Sequence, residues 1–146
     1  MTTLLKAIRD KLAAELSYLR GVYVVPDLMV FPDAPGFPIV CVMDAGEDPP
    51  GGELGGRMEH LHVSIGIYQA IAGTAEESVV GDGVAKGVLD IADDILAELR
   101  GVTFSPAYQA PFQGAKSKTR ALESADYEGF VAFKSIELEY LREVIS

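Results

Sequence analysis

Cysteine is almost missing from this chain: Cys41 is the one thiol in 146 residues. An intrachain disulfide is therefore excluded, and a lone thiol suits a reducing compartment. Histidine is scarce too, with His60 and His62 the only two, so a metal centre of the His/Cys kind lacks most of its donors. Basic residues are outnumbered: 12 Lys and Arg against 22 Asp and Glu leave a net charge of −10 at pH 7. That balance argues against general nucleic-acid binding and against attraction to anionic membranes, and it favours solubility. No apolar run approaches the roughly 20 residues that span a bilayer. Near the amino end, Leu4 and Leu5 are followed at once by Lys6, Arg9, Asp10 and Lys11, which break up the apolar segment of a secretory signal. The expected compartment is a cytosol.

What remains is a globular composition, 49% apolar and 23% charged, expected to fold as one α+β domain over residues 1–146 with a core that needs no staple. Met58 to Gln69 organises it. Leu61, Val63, Ile65 and Ile67 alternate with His60, His62, Ser64, Gly66 and Tyr68, the period of a strand with one face on a core and the other wet or facing a partner. A strand buried on both faces would read as a continuous apolar run.

Two amphipathic helices can cover the apolar face. Leu4, Leu5, Ile8, Leu12, Leu16 and Leu19 have helical spacing, with Thr2 and Thr3 as N-caps and Arg20-Gly21 as the C-terminus. Val80, Val84, Val88, Ile91, Ile95 and Leu99 mark the second helix, introduced by Thr74 and Glu77 at capping-box spacing and ended by Gly101. Alternatively, Gly81-Asp82-Gly83 is a break and the helix proper begins at Val84. Further strands are expected at residues 22–25, 39–43 and 129–141, and Pro106 and Pro111 limit residues 102–108 to an edge. The proline-rich stretch 26–38 predicts a rigid extended connection, and Gly46 to Gly56 a long mobile hairpin loop. The fold class is therefore α+β, an antiparallel or mixed sheet of four to five strands packed by two amphipathic helices.

Chemistry is harder to find. His60 and His62 at i,i+2 share a strand face and would need an acidic third ligand to hold Zn²⁺ or Cu²⁺; two polar rings on a solvated face is the plainer reading. Cys41 lies among Ile39, Val40, Val42 and Met43, an apolar setting that suits a structural thiol and not a reactive thiolate. Gly81, Gly83 and Gly87 lack dinucleotide-loop spacing and any Gly-Lys-Ser/Thr, and Gly51 to Gly56 lacks a lysine. Asp90, Asp93, Asp94 and Glu98 form an acidic helix face, a cation site or, more simply, solvated charge. No nucleophile elbow, Ser-His-Asp order or paired-carboxylate signature is present. These readings predict no enzyme, no cofactor and no metal.

The order of elements carries more information than any residue. An amphipathic amino-terminal helix leads through prolines into Phe37-Pro38-Ile39-Val40, then a long hairpin into the alternating strand. The helix Gly87-Val88-Leu89-Asp90-Ile91-Ala92-Asp93-Asp94-Ile95 follows, and a strand runs close to the carboxyl end. This order resembles the tail terminator, or tail completion, proteins of tailed bacteriophages and prophages. The resemblance implies a small α+β subunit of a hexameric ring that caps the tail tube, stops its polymerisation and joins the head connector. It also implies the tail tube and connector proteins as partners, with the host cytoplasm during assembly and then the virion tail as locations. An acidic ring lumen would let DNA pass without adhering. Subunit contacts in such a ring are expected between Asp90, Asp93, Asp94 and Glu98 on one copy and the basic cluster Lys116, Lys118 and Arg120 on the next. Another phage neck or minor tail component is the alternative. A different class is a monomeric or dimeric module that binds a small ligand on the His60/His62/Tyr68 face.

Overall fold

The computed structural model describes residues 1–28, 36–48, 58–70, 75–104, 112–113, 119–124 and 127–143. The chain runs α1 (Thr2–Glu15), β1 (Gly21–Val24), β2 (Ile39–Asp48), β3 (Met58–Gln69), α2 (Ala75–Val80), α3 (Val88–Leu99), β4 (Phe112–Gln113), β5 (Thr119–Ser124) and β6 (Tyr127–Glu143). These form an α+β fold around one mixed sheet, as the alternation predicts. The strand order is β1-β2-β3-β6-β4, with β5 also paired to β6. Among the described residues, parallel pairing occurs only between β1 and β2; β3 is antiparallel to both β2 and β6, as are β4 and β5 to β6. Since β4 pairs residues 138–139 of β6 and β5 pairs residues 127–134, the two short strands share one edge, and the sheet is five positions wide.

Helices α1 and α3 cover the face that β3 presents through Leu61, Val63, Ile65 and Ile67. Leu4, Ile8 and Leu12 of α1 meet Val88, Ile91, Ile95 and Leu99 of α3 over Val40, Val42, Ile136, Leu138 and Tyr140 in one core. Each fully buried Leu or Ile there contributes about 1.5–3 kcal/mol. The opposite sheet face departs from the expectation of a wet surface. From Ser64 to Gln69 it is buried, because Val25 and Leu28, just after β1, fold over Ile39, Cys41, Tyr68, Val131 and Phe133 to form a second core. Gly66 makes room for this cover: a Cβ there would lie 3.1 Å from both Leu28 and Phe133. Among the described residues, that face is open toward its His60/His62 end.

Several boundaries shift for local reasons. Helix α1 starts from Met1 as N-cap, with Thr2 and Thr3 inside it, and no side chain caps it. It ends at Glu15, before the expected Arg20-Gly21. Arg20 instead donates its backbone N–H to the Pro38 carbonyl, 2.7 Å, which leads directly into β1. Gly21 opens that strand, and its missing Cβ makes room for the Tyr23 side chain, whose hydroxyl oxygen lies 2.4 Å from where a Cβ would be. Strand β2 extends through Asp48 past a bulge at Asp44/Gly46, so residues 46–48 are ladder and not loop. Residues 49–57 lie outside the described residues, as do Thr74 and 105–111.

The second helix is interrupted. Gly81 (φ 86°) and Gly83 (φ 89°) take left-handed backbone angles that end α2 and turn the chain. Asp82 Oδ1 accepts the N–H groups of Val84 and Ala85 at 2.9 and 2.7 Å, and α3 starts only at Val88. Val80 and Val84, expected on the buried stripe, are therefore 53% and 96% exposed.

Candidate assembly surface

The four carboxylates of the acidic helix face lie on α3, but they do not act as one set. Asp90 and Asp93 are exposed, and Glu98 is half-exposed. Asp94 is drawn inward, where its Oδ2 accepts the Tyr18 hydroxyl at 2.6 Å and the Lys86 ammonium at 2.5 Å. Lys86 Nζ also lies 4.9 Å above the Tyr18 ring, a cation–π contact. Burial pushes the Asp94 carboxyl up, but its bonds to Lys86 and Tyr18 outweigh that and hold it below the usual carboxylate range. Tyr18 moves the other way, raised by burial and then by Asp94 and Asp90. Gln69 Nε2 donates to the Lys86 carbonyl at 2.6 Å. The cluster thus ties the residues after α1, the α2–α3 turn, α3 and the end of β3 together.

Of the expected basic counterpart, Lys116 and Lys118 lie outside the described residues. Arg120 belongs to β5, opposite Phe133 of β6, and its side chain is outside the description too. Sequence reasoning missed Tyr18 and Lys86. Tyr18 and Asp94 are 76 residues apart, and no local spacing signals such a pair.

The histidine face is a set of cross-strand histidine–carboxylate contacts. His60 Nδ1 meets Glu139 Oε1, and His62 Nε2 lies 2.9 Å from Asp48 Oδ2, both along the diagonals that an antiparallel ladder allows. Among the described residues, no group of three or more His, Cys, Asp or Glu could hold a metal ion. Tyr68 does not complete a ligand face with the histidines: it is fully buried and donates its hydroxyl to the Leu28 carbonyl. Beneath Arg142, on the other face, Glu59 Oε2 accepts Nη2 at 2.6 Å and Nε at 3.1 Å. Cys41 is fully buried, and that burial pushes its thiol up to about 12, an inert setting. Among the described residues, no helix is long and apolar enough to cross a membrane.

No family model matches the chain, and no curated protein sequence does. A solved structure does. The chain superposes on a chain of the virion of a native gene transfer agent particle with a TM-score of 0.56, covering 97% of this chain and 93% of that one. A virion chain shares this fold. Sequence identity is 21%, so the likeness is one of fold over nearly the whole length of both chains.

Proposed function

We propose that this protein is a structural component of a phage-like virion, and within that class a tail terminator whose closed homo-oligomeric ring caps the tail tube and meets the head connector. The observation that carries the reading is the near end-to-end match of fold to a chain of a gene transfer agent virion. The element order gives further support, since it resembles that of tail terminators. The role is non-enzymatic and without cofactor, and no reactive constellation occurs among the described side chains. The protein works in the host cytoplasm during assembly and then in the particle's tail, with the tail tube and connector proteins as partners.

A ring subunit needs two unlike contact patches. The outward carboxylates Asp90, Asp93 and Glu98 supply one, with Asp94 beside them committed to Tyr18 and Lys86. The cluster Lys116, Lys118 and Arg120 is the counterpart expected from the sequence. A terminator has a diagnostic loss phenotype. Deleting its gene in a producing strain should leave tubes of uncontrolled length unjoined to heads, visible by negative-stain electron microscopy. Joined particles with tails of normal length would overturn the terminator assignment.

A further inference from the structure

Among the described residues, the corner between α2 and α3 carries the largest apolar exposure: Val84 is 96% exposed, Val80 53% and Leu89 38%. The corner is held in shape. Asp82 binds the amides of Val84 and Ala85 through its side chain, and the Gly81 N–H donates to the Glu77 carbonyl at 2.7 Å. Its rim is acidic, with Asp82 and Asp90 exposed and Asp93 one turn along α3. Residues 76–98 hold seven carboxylates and a single lysine. That lysine, Lys86, is turned onto Asp94 and does not offset the rim.

The amino-terminal helix has the opposite balance. Residues 1–20 contain Lys6, Arg9, Lys11 and Arg20 against Asp10 and Glu15. Lys6, Arg9 and Ala13 follow one another at helical spacing along one stripe of α1. Lys6 and Ala13 are exposed, while the half-exposed Arg9 is bonded to Asp10 at 2.9 Å. An apolar tip with an acidic rim therefore has, elsewhere on the same chain, a stripe with the exposed Lys6, the Arg9–Asp10 pair and a small apolar residue to receive it. Corner against corner would set like charges together, so a self-contact through this corner is head-to-tail, the geometry that closes into rings.

We propose that Val80, Val84 and Leu89 dock on the Lys6/Arg9/Ala13 stripe of α1 in a second copy of this chain. The proposal rests on the ring reading above and gives the acidic corner a counterpart in α1 in place of residues 116–120. The apolar tip supplies the contact, and the charges select the face it meets.

Light scattering of the purified full chain across protein and salt concentration tests it, with far-UV circular dichroism to show that each variant is folded. The wild type should be oligomeric and dissociate more readily as salt rises. Val84→Asp, and separately the pair Lys6→Glu and Arg9→Glu, should each raise the dissociation concentration at least about tenfold, the effect of one strong interfacial contact. Adding Asp90→Lys and Asp93→Lys to the α1 pair should restore the oligomer. Indifference to Val84→Asp overturns the tip, and indifference to the α1 reversal overturns the acceptor. An oligomer broken by Lys116→Glu, Lys118→Glu and Arg120→Glu but not by the α1 pair assigns the carboxylates to the other cluster. A folded wild type that stays monomeric at every concentration, yet is found in purified particles, sinks the docking and leaves the virion role standing.

Discussion

Glu59 and Asp94 are the side chains whose charge the fold most plainly relies on. The Arg142 guanidinium beside Glu59 holds its carboxyl below the usual carboxylate range, against the upward push of burial. Asp94 is shifted the same way by Lys86 and Tyr18, again against burial. A carboxylate with a depressed folded value contributes stability that is fully present above its unfolded value, about pH 4, and is lost as pH falls through the folded value. Urea denaturation should therefore show stability flat from neutral pH to about pH 5 as far as these groups are concerned, then declining as pH falls further below the unfolded value. In Glu59→Gln the acid decline should be shallower, and stability at pH 7 lower by about 1.5–3 kcal/mol, the range for a hydrogen bond to a charged group. An unchanged acid limb would mean that the Arg142 contact is solvated and inconsequential.

At the scale of elements, β3 was legible because Leu61, Val63, Ile65 and Ile67 alternating with His60, His62, Ser64 and Gly66 has no other simple reading. Helix α3 was legible from Val88, Ile91, Ile95 and Leu99. The second core was not. Ser64, Gly66 and Tyr68 are small or carry a polar handle, so a face roofed by Val25 and Leu28 looked like one left wet. The break between α2 and α3 was hidden by Val80, Val84 and Val88, which keep an i,i+4 apolar spacing straight through a turn. Gly81-Asp82-Gly83 was the correct warning, although the helix resumes at Val88 and not at Val84. Of the candidate surface, the carboxylates on α3 were legible and the withdrawal of Asp94 was not, because it depends on Tyr18 far away in sequence.

The turn itself can be tested with two glycines. A Cβ at Gly87 would lie 2.3 Å from the Val79 carbonyl oxygen and 2.5 Å from the Gly81 nitrogen. Both are backbone atoms that cannot swing aside. A Cβ at Gly83 meets nothing within 4 Å, and only its φ of 89° penalises a side chain. Gly83→Ala should cost about 1–2 kcal/mol, the strain of a left-handed residue. Gly87→Ala should cost more, about 3 kcal/mol, since the overpacking range is reached with no flexible neighbour to relax. Equal losses in chemical denaturation would show that the α2–α3 backbone is looser than this contact implies.

The whole molecule is a small acidic α+β protein, its sheet covered on one face by α1 and α3 and on part of the other by Val25 and Leu28, with its charge divided unevenly. Excess negative charge collects along α2 and α3, and excess positive charge along α1. Such a division suits a part that must find one orientation among copies of itself, whereas a binding module would need a cleft with convergent polar groups. The described histidine face offers histidine–carboxylate contacts. The overall net charge would also keep a ring clear of DNA passing through it.

The central claim is that this protein belongs to the particle, as a ring at the end of the tail that meets the head. Immunogold labelling of purified particles that carry an epitope-tagged copy tests it most directly. The account predicts gold at the junction of head and tail, one cluster per particle, and none along the tube. Label spread along the tube, or particles of normal form that lack the protein altogether, would contradict it.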